Sequence, residues 1–327
     1  MSKITDSFGR KINYLRVSIT DRCNLRCRYC MPPEGVEFKP HSQILSYEEI
    51  VKIIKAGNDI GIDRVRITGG EPLVRKGAVE LIRMLNNLNT LKDLSMTTNG
   101  TLLKQYAFKL KEAGLDRVNI SLDTLEPHKY QKITRRDKFD AALEGIDTAL
   151  EAGLNPVKIN VVLIQDFNEN EIGDFISLTR TRPLHVRFIE YMPFIDSREG
   201  DQIQKYCSLT ELKRDLSPQY NLQPASIQGN GPAEYYRLKQ GTGTIGFISP
   251  VSHKFCASCN RLRLTADGRL KPCLANDIEV NIRNKQGDLG SKQELVEKYK
   301  KAISLKPASH HFNEGQSFNR NMYEIGG

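Results

Sequence analysis

Nothing in this 327-residue chain reads as an address or an anchor. Met1 to Lys11 is polar and charged without an apolar signal-peptide core, and no run approaches the ~18 apolar residues that a membrane span needs. A soluble, unexported protein of the cytoplasm is expected. The chain also lacks any block of about five or six like charges, so a basic nucleic-acid arm is unsupported, although Lys and Arg outnumber Asp and Glu by 48 to 39. The net charge of +9 then suits either a small anionic partner carrying phosphates or a generally solvated basic surface. An even cysteine count is missing as well. The seven cysteines form two tight sets and the loner Cys207, which fits metal ligation in a reducing compartment better than a disulfide framework.

Each cysteine set, in turn, lacks a fourth member. Cys23, Cys27 and Cys30 form C-x3-C-x2-C directly after a short apolar strand pattern. Four-iron clusters normally take four thiolates, so three leave one iron open for chemistry. Cys256, Cys259 and Cys273 form C-x2-C-x13-C. A structural zinc would want a fourth ligand, for which His253 is the nearby candidate, and spacing alone leaves zinc and an iron-sulfur cluster both open here.

With 39% hydrophobic and 27% charged residues, the chain is long enough for one large domain or a domain plus a lobe. Strand-like runs alternate with helical ones from Tyr14 to about Met192, the pattern of βα units on a parallel sheet. The six strand candidates are Leu15 to Ile19, Arg64 to Thr68, Leu94 to Thr98, Arg117 to Leu122, Val157 to Ile164 and His185 to Tyr191. Ser46, ahead of Glu48 and Glu49 and an apolar face at Ile50, Ile53 and Ile54, predicts a capped helix start. Six units are too few for a closed eight-unit barrel. The fold class expected is α/β, a partial (β/α)6 TIM-type barrel with a C-terminal lobe covering the open side. Prolines and glycines after Met192 set a boundary near Phe194, giving a barrel over 1–193 and a lobe over 194–327, with strand-like pieces at Tyr235 to Leu238, Thr244 to Ser249 and Arg261 to Thr265. By composition, the tail from Pro307 to Gly327 reads as frayed.

Gly69-Gly70-Glu71-Pro72 follows the second strand, at the end of the sheet where barrels bind ligands, and paired glycines allow close backbone approach. Gly241-Thr-Gly-Thr-Ile-Gly246 matches a dinucleotide fingerprint in letters but leads into a strand, so that reading is rejected. Arg16, Arg66, Thr97, Ser121, Lys158 and Arg187 recur at or near the strands, and Lys158 and Arg187 interrupt apolar runs. Buried charges need partners, either anionic ligand oxygens or internal acids such as Glu190. Arg261 and Arg263 share one side of an extended segment, and guanidinium forks suit phosphate.

Taken together, Asp6 to Arg10 with Tyr14 to Arg16, the Cys23 set, Arg66 to Pro72, Thr97 to Gly100, Asn119 to Asp123, Cys256 to Arg263, Cys273 and the terminal Gly326-Gly327 resemble the GTP 3',8-cyclases of molybdenum cofactor biosynthesis, lyases of the radical S-adenosylmethionine (SAM) superfamily. The resemblance implies two [4Fe-4S] clusters, one on Cys23, Cys27 and Cys30 and one on Cys256, Cys259 and Cys273, and overrides zinc. It implies SAM contacts at Tyr29, Gly70, Ser121 and Met192. It implies GTP contacts at Arg16, Arg66, Thr97, Lys158, Arg187, Arg261 and Arg263, and a double-glycine tail, Gly326 and Gly327, that enters the active site. The implied reaction is removal of the ribose 3' hydrogen by a 5'-deoxyadenosyl radical, attack of C3' on guanine C8, and reduction to 3',8-cyclo-7,8-dihydro-GTP. Implied partners are an external electron donor and cyclic pyranopterin monophosphate synthase, which would receive the product, with no nucleic acid, no membrane, and a monomeric or homodimeric state. Two rivals stand beside it. Another radical SAM enzyme with auxiliary clusters would carry more cysteines after the barrel, and a non-catalytic zinc or iron-sulfur nucleic-acid-binding protein rests on charge alone.

Overall fold

The computed structural model describes residues 4–192, 207–229, 231–310 and 319–326. The expected boundary at 193/194 and the terminal Gly327 lie outside these residues. Six strands appear where alternation predicts them, within one or two residues: β1 Tyr14–Ser18, β2 Arg64–Thr68, β3 Asp93–Thr98, β4 Arg117–Ser121, β5 Val157–Leu163 and β6 Leu184–Glu190. They pair in sequence order, all parallel. Between them run α1 Tyr47–Asp59, α2 Ala78–Asn86, α3 Leu103–Glu112, the pair α4 Pro127–Thr134 and α5 Phe139–Glu151, and α6 Ile172–Thr181. The start of α1 is a capping box: the Ser46 hydroxyl accepts from Glu49 N at 3.1 Å, and the Glu49 carboxylate accepts from Ser46 N at 2.7 Å.

The later part of the chain adds α7 Leu209–Tyr220, β7 Gln223–Ala225, β8 Glu234–Arg237, β9 Thr244–Ile248, β10 Arg261–Leu264, β11 Arg269–Lys271, β12 Val280–Asn281, α8 Lys292–Ser304 and α9 Met322–Ile325. It does more than cover an opening. β10 pairs parallel with β1, and β9 pairs parallel with β6, so the parallel array grows at both edges. Antiparallel β11 and β12 then finish one side, and β8 and β7 the other. Among the described residues the sheet ends at β12 and β7 and does not close, which agrees with the expected partial barrel. The glycine-rich run at 241–246 does enter a strand, β9.

Alternation along the strands sorts side chains to two faces. Leu15, Val17, Val65, Ile67, Met96, Val118, Ile120, Ile159 and Val161 belong to the main apolar core with the inner faces of the helices. The other face carries the polar series, and register lines it up: Arg263 beside Arg16, Arg16 beside Arg66, and Arg66 beside Ser95. Helices therefore cover the outside, and a polar interior is left for a ligand. No helix among the described residues is long and apolar enough to cross a membrane.

Candidate active site in the barrel

One cavity of about 330 Å³ occupies the interior and its mouth. That falls within the usual range of small-molecule sites, ~300–1,000 Å³. All six predicted cysteine ligands line it, together with Tyr29, Gly70, Ser121 and Met192, and Arg16, Arg66, Thr97, Arg187, Arg261 and Arg263. Lys158 is not on that wall. It lines an adjoining space of about 310 Å³, bounded by Gly229, Glu234 and Tyr235, and Gly231 borders both.

The first cysteine set sits on the turn-rich segment after β1. Leu25 N donates to Cys23 Sγ at 3.4 Å and Asn99 Nδ2 donates to the same sulfur at 3.9 Å, both suited to a thiolate carrying metal charge. Asn99 is held in turn by Asn24, and its backbone N–H donates to the buried Glu71 carboxylate at 2.7 Å. Glu71 also accepts from Leu73 N and the Thr98 hydroxyl. Burial raises its carboxyl to about 7, against the pull of those three donors. The glycines before it line the cavity and also meet the chain's own backbone. A Cβ on Gly70 would lie 2.4 Å from Arg22 O, and one on Gly69 2.7 Å from Thr20 O, so the close backbone approach is to the segment leading into Cys23. Gly70 N and Glu71 N donate across that contact to Thr20 O and Arg22 O, both at 2.8 Å.

Tyr29 is aimed by a buried partner. Its hydroxyl donates to Asp123 Oδ2 at 2.5 Å, while Asp123 Oδ1 accepts from Val162 N. Burial lifts the Asp123 carboxyl to about 6. Glu71, Asn99 and Asp123 were not singled out in the sequence, although all three sit inside motifs that were: Gly-Gly-Glu-Pro, Thr-Thr-Asn-Gly and Ser-Leu-Asp.

The second cysteine set meets a different field. Burial pushes the Cys259 thiol up, but the positive charges of Arg261 and Lys306 outweigh it and bring it down to about 6. Lys306 Nζ donates to Arg261 O at 2.8 Å and Pro272 O at 2.7 Å, tying together the two segments that carry Cys259 and Cys273. Arg261 lies over the Phe255 ring at 5.0 Å. His253, the zinc-ligand candidate near Cys256 in sequence, is exposed and does not line the cavity. Three free thiols on each of two walls, facing one cavity, fit clusters that keep a corner for another ligand.

Crowded like charges define the rest of the wall. Burial, and then repulsion from Arg263, Arg66 and Arg261, pulls Arg16 well below its usual range, and Arg66 and Arg263 are lowered to about 10. Lys158 falls to about 6, through burial and then the charges of Arg117, Arg187 and Arg66. The expected internal partner, Glu190, is engaged elsewhere, accepting from Leu209 N, Val251 N and Ser252 N. Lys158 Nζ donates to Gln228 O at 2.7 Å, and Arg187 donates to Asn160 Oδ1.

The tail is not frayed where it is described. Tyr323, Ile325 and Gly326 are buried, and Arg263 Nη1 donates to Ile325 O at 3.3 Å and to Gly326 O. Gly326 has φ +71°, and a Cβ there would lie 2.6 Å from Thr68 Cγ2 and 3.1 Å from Ser18 Cβ, between β2 and β1. Only glycine fits that place without strain. Composition alone misjudged it because the tail's partners are supplied by distant strands.

Comparison with known proteins agrees with this arrangement. The Radical SAM superfamily matches residues 17–179, and Molybdenum Cofactor Synthesis C matches residues 184–312. The GTP 3',8-cyclase of Petrotoga mobilis is 55% identical over 325 residues, 98% of this chain and 99% of that one. That of Moorella thermoacetica is 50% identical over 323 residues, with the same coverage. The solved structure of native anSMEcpe with bound AdoMet shares the fold, with a TM-score of 0.60 at 17% identity over 90% of this chain and 83% of that one. Two three-cysteine walls on one arginine-lined cavity, in a chain matched end to end at this identity, place the protein in the GTP 3',8-cyclase family of the Radical SAM superfamily.

Proposed function

We propose that the chain converts GTP to 3',8-cyclo-7,8-dihydro-GTP, a lyase reaction that opens molybdenum cofactor biosynthesis. The observation that carries this reading is the shared cavity, on which both cysteine sets and five arginines converge. Cys23, Cys27 and Cys30 would hold the first [4Fe-4S] cluster and Cys256, Cys259 and Cys273 the second. When bound, the first cluster and SAM supply the carbon-centred radical that takes the ribose 3' hydrogen.

The chain's own residues do the positioning. Tyr29, fixed by Asp123, and Gly70, Ser121 and Met192 form the SAM wall. Arg16, Arg66, Thr97, Arg187, Arg261 and Arg263 take the nucleotide, whose triphosphate offsets the repulsion among them. Lys158 joins them by exchanging the Gln228 carbonyl for a phosphate oxygen. Gly326, seated against Thr68 and Ser18 and held by Arg263, brings the tail to the edge of the cavity that Thr68 and Arg263 line, and limits access of water to the reacting ribose.

The residues up to 193 form the barrel unit in this reading, and 194–327 the lobe with the second cysteine set and the tail. The seven free cysteines support a reducing compartment, the cytoplasm. The product passes to cyclic pyranopterin monophosphate synthase, an external donor provides electrons, and the chain acts as a monomer or homodimer. Anaerobic reconstitution, iron counting and a reduced assay with GTP and SAM test the proposal. About eight irons per chain and a GTP-derived product equal in amount to 5'-deoxyadenosine are expected. Formation of 5'-deoxyadenosine without any GTP-derived product would move the chain to another radical SAM chemistry.

A further inference from the structure

The tail's placement has a mechanical origin outside the cavity. Six residues before Gly326, Arg320 enters a cage of two carboxylates carried by the sheet edge. Its Nη1 and Nη2 donate to Asp267 Oδ1 and Oδ2 at 3.2 and 3.0 Å, and its Nε and Nη2 reach Glu279 Oε1 and Oε2 at 2.6 and 3.0 Å. All three side chains are at most 20% exposed, so this doubly bidentate contact is shielded more than a surface ion pair.

The acids are themselves fixed. Asp267, in the turn between β10 and β11, accepts from the Thr265 hydroxyl at 2.5 Å, and Glu279, just before β12, pairs with Lys271 at 3.2 Å. Beyond Arg320, Asn321 and Glu324 form a capping box at the start of the four-residue α9, with Asn321 N donating to Glu324 Oε2 at 3.0 Å. A helix this short is marginal alone and takes its direction from what holds its first residue. The strand next to the clamped turn, β10, carries Arg263, which receives the tail's last described carbonyls. One edge of the sheet thus grips the tail at both ends.

We infer that Arg320 is a positioning residue for the cyclisation, clamped by Asp267 and Glu279 so that the tail up to Gly326 is held in its groove between β1 and β2. The inference deepens the proposed function and rests on it for its catalytic consequence. Its structural content stands apart from that reading, because the clamp can be observed without GTP.

The test is hydrogen exchange on the reconstituted full-length protein, paired with steady-state kinetics. Arg320→Ala is expected to speed exchange of the amides at 322–326 by about tenfold or more while leaving iron content and the protection of β1 to β6 unchanged. Turnover should fall about tenfold or more, with the loss in kcat and little change in the KM for GTP. Arg320→Lys should restore part of both signals, and the Asp267→Asn, Glu279→Gln double variant should reproduce the alanine effect with Arg320 intact. Unchanged tail protection in Arg320→Ala would overturn the inference, as would loss of protection spreading through β10 to β12. Faster tail exchange supports the clamp even if the unsubstituted chain turned over no GTP, an outcome that would remove the cyclase reading alone.

Discussion

Binding of a triphosphate should draw a proton onto Lys158. In the unliganded barrel its ammonium is held at about 6, by burial first and then by Arg117, Arg187 and Arg66, with Asp93 in opposition. At pH 7.5 such a group carries only about 0.03 of a proton, whereas one paired with phosphate returns toward the ordinary value of about 10.4 and is fully charged. Nearly one proton is therefore taken up per GTP bound. The sign follows from linkage: the bound state holds more protons, so affinity falls as pH rises, by about tenfold per unit above about 6, or about 1.4 kcal/mol. The window from pH 7.5 to 8.5 isolates the effect. The nucleotide's own phosphate, with a pKa of about 6, is ionised there. His185, lowered to about 4 by burial and by the charges of Lys158, Arg187 and Arg237, stays neutral. Calorimetric titration of GTP under anaerobic conditions, in buffers of low and high ionisation enthalpy, reads the proton directly. Lys158→Met should abolish the uptake and flatten the pH dependence, and Lys158→Arg should keep affinity while losing the uptake. Buffer-independent heats for the unsubstituted protein, or uptake that survives in Lys158→Met, would refute a phosphate contact and leave Lys158 as a tether for Gln228.

Two further substitutions probe the frame around the cavity. Gly326→Ala forces an alanine to φ +71° with its Cβ 2.6 Å from Thr68 Cγ2, costing about 1–2 kcal/mol for the left-handed backbone and a further ~1–3 kcal/mol for overlap. The tail should leave its groove and turnover should drop about 30-fold or more while the melting temperature holds, so full activity would show the insertion to be dispensable. Glu71→Gln places an amide N–H against one of three backbone and hydroxyl donors, at a cost of about 1–3 kcal/mol. Thermal unfolding should detect it, and an unchanged melting temperature would mean that the carboxylate does not organise the Asn99 turn beside Cys23.

The parallel strands were legible because each exposes one face to helices and the other to a polar interior, so β1 to β6 alternate instead of running apolar throughout. The arginines were legible for the same reason. Charge at the inward positions 16, 66, 187 and 263 is expensive unless something anionic enters, and the register does bring Arg16 between Arg66 and Arg263. What escaped depends on contacts between distant segments. β7, β11 and β12 are two or three residues long, below any periodicity, and exist because a longer strand offers an edge. The roles of Glu71 and Asp123 hang on which donors surround them, and nothing local distinguishes a structural acid in a turn from one that fixes a cofactor wall. Gly69 and Gly70 carried the signal of close approach, and the sequence did not show that the chain's own backbone at 20–22 also approaches them.

The same crowding that makes the barrel attractive to a nucleotide makes it costly to keep empty. Arg16, Arg66, Arg263 and Lys158 are each shifted away from their charged forms by burial and by neighbouring cations, so folding brings like charges together at a cost. Asp93 answers Arg117 with a bidentate pair at 2.8 and 2.6 Å, and Glu190 is occupied by the 251–252 turn. The tail makes this balance conditional. Its carbonyls at 325 and 326 occupy one face of Arg263 without supplying a full negative charge, so they orient that guanidinium while leaving its attraction for phosphate intact. A carboxylate in the same place would neutralise Arg263 and compete with the substrate. In the proposed reading, neutral backbone at a glycine, held from outside by Arg320, fixes the arginine and leaves its positive charge for the nucleotide.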